Sequence, residues 1–223
     1  MNLFTEDERV RIAEHIAEVE ARTAGEIVPY VVMQSDAYPI ARWRGAAVAI
    51  LIGLAVLGVL SVTSVLSVTG VPADIDLWHG RMLLPVLLGL GATGAVVGGT
   101  FPPLVRTLTG ADTLHQAAHR RAMQAFVDEE VFATRDRTGI LMFVSLLEHR
   151  IEVIADVGIS AQVDPATWSS IAEAIRDGMA AGSLADGLVN GLKRCQSILG
   201  NAGIERRDDD TDELPNTIRE KQS

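Results

Sequence analysis

The chain has 223 residues, of which 48% are hydrophobic and 22% are charged, and its formal charge is −10. Between positions 45 and 105 only three residues carry a charge: Asp74, Asp76 and Arg81. The two uncharged stretches, 45–73 and 82–105, each exceed the roughly 20 apolar residues that cross a bilayer core, which excludes a wholly soluble protein. The acidic balance argues against nucleic acid as a partner, because binding to phosphates requires clustered Lys and Arg.

The first predicted element is a helix that begins after Thr5, because Thr5 and Glu8 have the spacing of a capping box. A strand from Glu26 to Gln34 follows, since this segment is rich in buried-type and β-branched residues. Pro29 cannot donate a ladder hydrogen bond, so we expect the strand to lie at a sheet edge or to carry a bulge there. Residues 1–41 are interpreted as the first part of an α/β domain.

Two transmembrane helices are predicted next, at 45–68 and 83–105, joined by a short loop at 69–82. The hairpin is flanked by basic residues, namely Arg42, Arg44 and Arg106. Since Lys and Arg accumulate on the cytoplasmic side, we predict a two-pass protein of the cell (inner) membrane, with the soluble domain and both termini in the cytoplasm. The lipid bilayer is thus a predicted partner. Neither span has a central ionisable residue, which is typical of an anchor and not of a transport pathway.

Small residues recur four positions apart on the second span, at Gly91 and Ala95 and again at Gly94 and Gly98. Such residues allow two helices to approach closely. Two interpretations stay open: packing between the two spans of one chain, or self-association of two copies.

The second part of the soluble domain is predicted at 110–203. Its elements are a helix from Asp112, strands at Ile140–Leu147 and Arg150–Val157, and helices that start at Asp164-Pro165 and after Ser183. This order predicts a parallel strand–helix–strand unit followed by a hairpin, and therefore a small mixed sheet between helices, an α/β/α sandwich. Neither part can bury its apolar faces alone, so the membrane hairpin interrupts one domain. The acidic segment 204–223 is predicted to be a disordered or loosely attached tail.

Charged and polar residues gather where the predicted strands begin and end. Glu26 starts the first strand, Asp136, Arg137 and Thr138 precede the second, and Asp156 ends the third. Strand ends beside loops are common positions for sites in α/β domains. Two interpretations stay open: a functional site, or a structural ion pair between Arg137 and an aspartate across the loop.

Two further features concern residues that can bind metals. His115 and His119 lie four apart on a predicted helix and can face one metal ion. Gln116 stands where a metalloprotease has its Glu, and the sequence offers no third ligand nearby, so exposed surface histidines are the favoured interpretation. The single cysteine, Cys195, lies among apolar helix positions and is predicted to be a buried, inert thiol.

The segment Thr134–Leu146, with Glu148 and the following Ile151–Ile159, resembles the core signature of the TPM domain family, also called TPM_phosphatase or DUF477-like. Thr23–Val28 and Glu213–Asn216 resemble bacterial membrane-anchored members. The resemblance implies an α/β/α sandwich. Some plant members are described as acid phosphatases, some members bind calcium or another divalent ion, and others are accessory factors for membrane complexes.

On this resemblance we expect a membrane-anchored accessory factor that binds a membrane-protein partner during assembly or quality control of a membrane complex. The alternative is a divalent-metal-dependent phosphatase that acts on phosphate esters. Calcium, magnesium or manganese would then be held by Glu26, Asp136 and Asp156. The candidate catalytic residues are Arg137, Thr138 and Asp156, with the Arg137 guanidinium matching the phosphate oxygens. No organic cofactor is expected.

Overall fold

The structure, a computed structural model, describes residues 3–65, 83–207, 209 and 213–222. The chain divides into two compact units, of which one combines Met1–Asp36 with His115–Ser223 and the other is Ala37–Leu114. The first unit contains a mixed four-stranded sheet with helices, which confirms the predicted α/β fold class. The second unit is built from two long apolar helices followed by a short one.

The sheet consists of β1 (Glu26–Val32), β2 (Gly139–Ser145), β3 (Arg150–Ala155) and β4 (Arg219–Lys221). Its strand order is β3-β2-β1-β4. β1 runs parallel to β2, and β2 turns back into β3 as an antiparallel hairpin. The predicted parallel unit and the predicted hairpin are both confirmed.

The helices are α1 (Glu6–Glu20), α2 (Pro39–Val65), α3 (Leu83–Thr100), α4 (Pro102–Thr109), α5 (Ala111–Asp128), α6 (Val157–Ser160), α7 (Pro165–Ala180) and α8 (Leu184–Asn201). Three predicted helix starts are confirmed by their caps. The side chains of Thr5, Asp164 and Ser183 accept hydrogen bonds from backbone N–H groups in the first turns of α1, α7 and α8, the ordinary role of such residues at an N-cap.

Apolar side chains fill both faces of the sheet. On one face, Ile12 of α1, Ile171 of α7 and Leu188 of α8 pack in the same cluster as Ile140 and other residues of β1 and β2. On the opposite face, small residues of α5 approach the aromatic residues of the sheet: Ala118, Ala122 and Ala125 with Tyr30 and Phe143. All residues of β1 and β2 are buried, as expected for parallel strands covered on two sides.

Pro29 lies in β1, which is an interior strand of the sheet. Among the described residues, however, Pro29 itself is paired only with β2. β4 joins the other side of β1 at Tyr30–Val32. At Pro29 itself the strand is therefore locally an edge, as predicted from the missing N–H of proline. The register between β1 and β2 continues without the alternative bulge.

The acidic tail differs from the prediction of disorder, because its described end adds β4 to the sheet. Glu220 binds the N–H of Leu3 at 3.0 Å and the guanidinium of Arg9 at 2.6 Å. Arg219 donates to Glu129 at 3.1 Å. Composition alone does not predict this ordering, because the segment is held by backbone pairing and by charged groups from distant parts of the chain, together with a few apolar side chains, Leu214 and Ile218, that pack against the core.

In the second unit, α2 and α3 are long and apolar enough to span a membrane. They pack through glycines. An added Cβ at Gly94 would overlap the carbonyl oxygen of Gly45, and one at Gly98 would lie 2.9 Å from the carbonyl oxygen of Ala41. The small residues of the second span therefore pack between the two helices of one chain, the first of the two interpretations above.

The boundaries of the apolar helices differ from those predicted. α2 begins at Pro39, several residues before the predicted start at 45, and α3 ends at Thr100, before the predicted end at 105. Pro102 and Pro103 occupy the first positions of α4, where proline is favoured because its missing N–H has no helical partner. The distribution of charged residues does not indicate this break between α3 and α4. The predicted loop 69–82 lies outside the described residues.

Cys195 is fully buried on α8, and its burial raises the thiol pKa to about 12, which confirms the predicted buried thiol. We expect native protein to show no reaction with Ellman's reagent at mildly alkaline pH, because the attacking species is the thiolate. The same sample in concentrated guanidinium chloride should release one equivalent of the thiolate dye. Stoichiometric labelling of native protein would contradict this placement.

Candidate functional site at the amino-terminal edge of the sheet

The predicted site residues lie at one edge of the sheet, where β1 and β2 begin and β3 ends. Glu26 is opposite Gly139, and the N–H of Glu26 donates to the carbonyl of Thr138 at 3.1 Å. The N–H of Asp156 donates to the carbonyl of Gly139 at 2.9 Å. Strand pairing thus places Glu26, Thr138 and Asp156 along neighbouring strands.

The loop before β2 is tightly built. Thr134 is buried and accepts the N–H of Thr138 through its hydroxyl at 2.9 Å. Arg137 has a φ of 58°, in the left-handed region that few residues with side chains adopt. The N–H of Gly158 donates to the carbonyl of Arg137 at 2.9 Å, and a Cβ at Gly158 would lie 2.7 Å from that oxygen. The path of the loop is therefore fixed by close backbone contacts on both sides.

Arg137 and Asp156 form a two-pronged ion pair. Nε of Arg137 lies 2.6 Å from Oδ2 of Asp156 and Nη2 lies 3.0 Å from Oδ1. The Asp156 side chain is 6% exposed, while that of Arg137 is 51% exposed. Hydrogen bonding to Asp156 raises the pKa of Arg137. This geometry matches the structural interpretation of an ion pair across the loop, with both carboxylate oxygens engaged.

Asp156 has a second role at the start of α6. Its Oδ1 accepts the N–H of Val157 at 2.7 Å and so caps that short helix. The guanidinium carbon of Arg137 also lies 5.7 Å from the ring centre of Phe132, within the range of a cation–π contact. The pair thereby joins the loop before β2 to the segment that follows β3.

The tail lies against the same edge. Asp136 is paired with Arg207, and the N–H of Leu214 donates to Oε2 of Glu26 at 3.3 Å. Arg135 donates to Asp209 through two nitrogens at 3.1 and 3.3 Å. This contact lowers the pKa of Asp209. The described parts of the tail therefore contact the candidate site, which the expectation of disorder did not include.

The three predicted metal ligands have separate partners. Glu26 contacts Leu214, Asp136 contacts Arg207, and Asp156 contacts Arg137. Within the described residues, no three His, Cys, Asp or Glu side chains converge as a set that can hold a metal ion. In this arrangement the charged side chains at this edge pair with one another, and the arginine side chains lie at the surface.

A second polar cluster, missed in the sequence, lies at the carboxyl-terminal edge. Glu148 is buried and accepts the N–H of Ser35 at 2.8 Å and the hydroxyl of Ser145. The hydroxyls of Ser35 and Ser145 lie 2.8 Å apart. A signal was present, because Ser35 follows β1, Ser145 ends β2, and the carboxyl ends of parallel strands meet at one sheet edge.

Replacing Glu148 with alanine should destabilise the domain by about 2 kcal/mol, because the partly buried N–H of Ser35 and the buried hydroxyl of Ser145 lose a charged acceptor. Glu148→Gln, which keeps one acceptor oxygen, should cost less. Denaturant unfolding followed by circular dichroism measures both variants. Equal stability of Glu148→Ala and the unaltered protein would show that this cluster contributes nothing to folding.

No protein-family model matches the chain, and no curated protein matches it. The structure is similar to the NMR structure of the BA42 protein from the psychrophilic bacterium Bizionia argentinensis, with a TM-score of 0.58. The match covers 99% of this chain and 97% of that one, at 19% sequence identity. At this identity the similarity concerns the fold alone.

Proposed function

We propose that this protein is a membrane-anchored accessory factor of the TPM domain type, whose α/β domain binds a membrane-protein partner in the assembly or quality control of a membrane complex. The domain works at the cytoplasmic face of the cell membrane. Its hairpin serves as an anchor and carries no substrate or ion.

One observation carries the membrane anchor in this proposal: only 11% of the apolar stretch of each of α2 and α3 is buried within the protein. Core helices of soluble proteins bury their apolar side chains, whereas these helices expose them, among others Leu51, Ile52, Leu84, Leu88 and Val96. Exposed apolar surface on helices of this length is the property that a lipid environment accommodates. Trp43, 75% exposed near the start of α2 between Arg42 and Arg44, suits the membrane interface.

The geometry of the candidate site supports binding more than catalysis. A catalytic centre needs groups that converge on a space where a substrate atom can sit. Here the candidate groups bind one another: Asp156 binds Arg137, Asp136 binds Arg207, and Glu26 binds the tail backbone. The segments that resemble the TPM signature, Thr134–Leu146 and Ile151–Ile159, supply Asp136, Arg137 and Asp156 to this edge.

Affinity purification of the full chain from detergent extracts, after crosslinking in intact cells, tests the proposal. We expect a reproducible set of membrane proteins to be recovered. A matched purification with Arg135→Glu and Arg137→Glu should recover less of them if this edge is the contact surface. Recovery of no crosslinkable membrane protein would contradict the accessory role.

A metal-dependent phosphatase is the second candidate, and one observation favours it. Arg135, Arg137 and Arg207 are each about half exposed at the same edge, where guanidinium groups can bind phosphate oxygens. Its test is phosphate release from a generic ester with calcium, magnesium or manganese present. Asp156→Asn should then abolish release, since the amide keeps the helix cap but loses the charge. If the folded protein releases no phosphate under these conditions, this activity is excluded for the esters tested.

A further inference from the structure

Two histidines of α5 face one carboxylate of β3. Nδ1 of His119 lies 2.7 Å from Oε2 of Glu152, and Nδ1 of His115 lies 4.0 Å from Oε1 of the same residue. The histidine side chains are 58% and 59% exposed, while Glu152 is 16% exposed. Glu152 is 33 residues from His119 in sequence, so sequence spacing alone does not reveal this third group.

The carboxylate determines which ring nitrogen of His119 is available. An ionised carboxylate only accepts hydrogen bonds, so in the neutral imidazole the proton lies on Nδ1 and the lone pair on Nε2. Metal-binding histidines commonly donate their other ring N–H to a carboxylate in this way, which fixes the ring and increases its basicity. Glu152 therefore prepares Nε2 of His119 as a ligand atom.

His115 is placed to act with His119. Residues four apart on a helix have Cβ atoms about 5–6 Å apart on the same face. In the described part of the chain, Oε1 of Glu152 is buried and accepts no hydrogen bond. A small rotation of the His115 ring, which lies largely in solvent, would bring its Nδ1–H to this oxygen. One carboxylate would then orient both rings.

We propose that His115 and His119 form a binding site for one divalent transition-metal ion of the zinc type, with Glu152 as the residue that orients them. The ligand chemistry is two imidazole nitrogens, which suits Zn²⁺, Ni²⁺ or Cu²⁺ better than the oxygen-seeking Ca²⁺ or Mg²⁺. The remaining coordination positions face solvent. This site is separate from the carboxylates Glu26, Asp136 and Asp156, and it does not depend on the proposed function.

The negative charge of Glu152 adds to the attraction for the ion. The carboxylate lies behind the two rings, mostly shielded from water, where charge interactions are stronger than in bulk solvent. Binding uses the neutral imidazoles, since only a deprotonated nitrogen can donate its lone pair. The site is therefore a two-nitrogen chelate on a rigid helix, with one charged group behind it.

Calorimetric titration of Zn²⁺ into the tag-free full chain in detergent tests the proposal. We expect one ion per chain. His115→Ala and His119→Ala should each weaken binding at least tenfold, and Glu152→Gln should weaken it by about 10–100-fold, the usual effect of losing an orienting carboxylate. His15→Ala is the matched control, because His15 lies on α1 and contacts the carbonyl of Arg11. The zinc affinity of this variant should equal that of the unaltered chain.

Electron paramagnetic resonance of the Cu²⁺-loaded protein gives a second readout that does not depend on affinity. We expect coupling to two imidazole nitrogens, with one lost in each single histidine variant. Zinc affinities of His115→Ala and His119→Ala equal to that of the unaltered chain would overturn the site. A copper spectrum without imidazole nitrogens would also overturn it, and unchanged zinc binding by Glu152→Gln would overturn the orienting role.

Discussion

Asp156→Ala should lower the free energy of unfolding of the α/β domain by about 2–3 kcal/mol. A lost N-cap costs about 1 kcal/mol, and the loss of hydrogen bonds between charged groups costs about 1.5–3 kcal/mol. The expected loss is smaller than the sum of these two costs, because Arg137 is half exposed and its guanidinium can form hydrogen bonds with water in the variant. Chemical denaturation in mild detergent, followed by circular dichroism, measures the change.

Two further variants separate the roles of Asp156. Asp156→Asn retains an oxygen for the N–H of Val157 and should lose less stability than the alanine variant. Arg137→Ala removes the ion pair but leaves the cap, so its effect should be smaller than that of Asp156→Ala. If Asp156→Ala unfolds at the same denaturant concentration as the unaltered protein, the ion pair and cap are not structural, and the phosphatase interpretation gains support.

Gly94→Leu should prevent the close packing of α2 against α3, at a cost of about 3 kcal/mol or more to the hairpin. A Cβ at Gly94 would overlap the Gly45 carbonyl and lie 2.5 Å from the Cβ of Ala49. Backbone atoms cannot move aside as a flexible side chain can. The measurement is the thermal stability of the detergent-purified protein, together with the amount recovered as a single species by size exclusion.

Gly89→Leu is the matched control on the same helix, because an added Cβ at Gly89 meets nothing within 4 Å. It should leave both the melting temperature and the elution profile unchanged. If instead Gly94→Leu keeps its stability and only dissociates an oligomer, the glycine face mediates self-association and not packing within one chain.

The sequence predicted the fold class because its signals were local. The capping box at Thr5 and Glu8, the Asp164-Pro165 helix start and the buried strand of β2 each follow from a few neighbouring residues. β4 was missed because its three residues are all charged and lack the apolar composition of a strand. Its placement depends on pairing with β1, almost the whole chain length away.

The candidate site was predictable only in part. An ion pair between Arg137 and an aspartate was one of two alternatives, and the structure identifies the aspartate as Asp156, because both residues flank the β2–β3 hairpin and their strands are adjacent. The contact of Asp136 with Arg207 joins residues 71 positions apart through the tail, so no local pattern indicates it. The contact between Glu152 and His119 also has no local sequence signal, because the two residues lie on different elements, β3 and α5.

The proposed topology, a cytoplasmic domain held by a membrane-spanning hairpin, is tested most directly by cysteine labelling in intact cells. Cys195 is buried and gives little background. Trp78→Cys, in the loop predicted between the spans, should react with a membrane-impermeant maleimide before lysis. Ser160→Cys, exposed on the α/β domain, should react only after lysis. Labelling of Ser160→Cys in intact cells, with Trp78→Cys protected, would contradict this account.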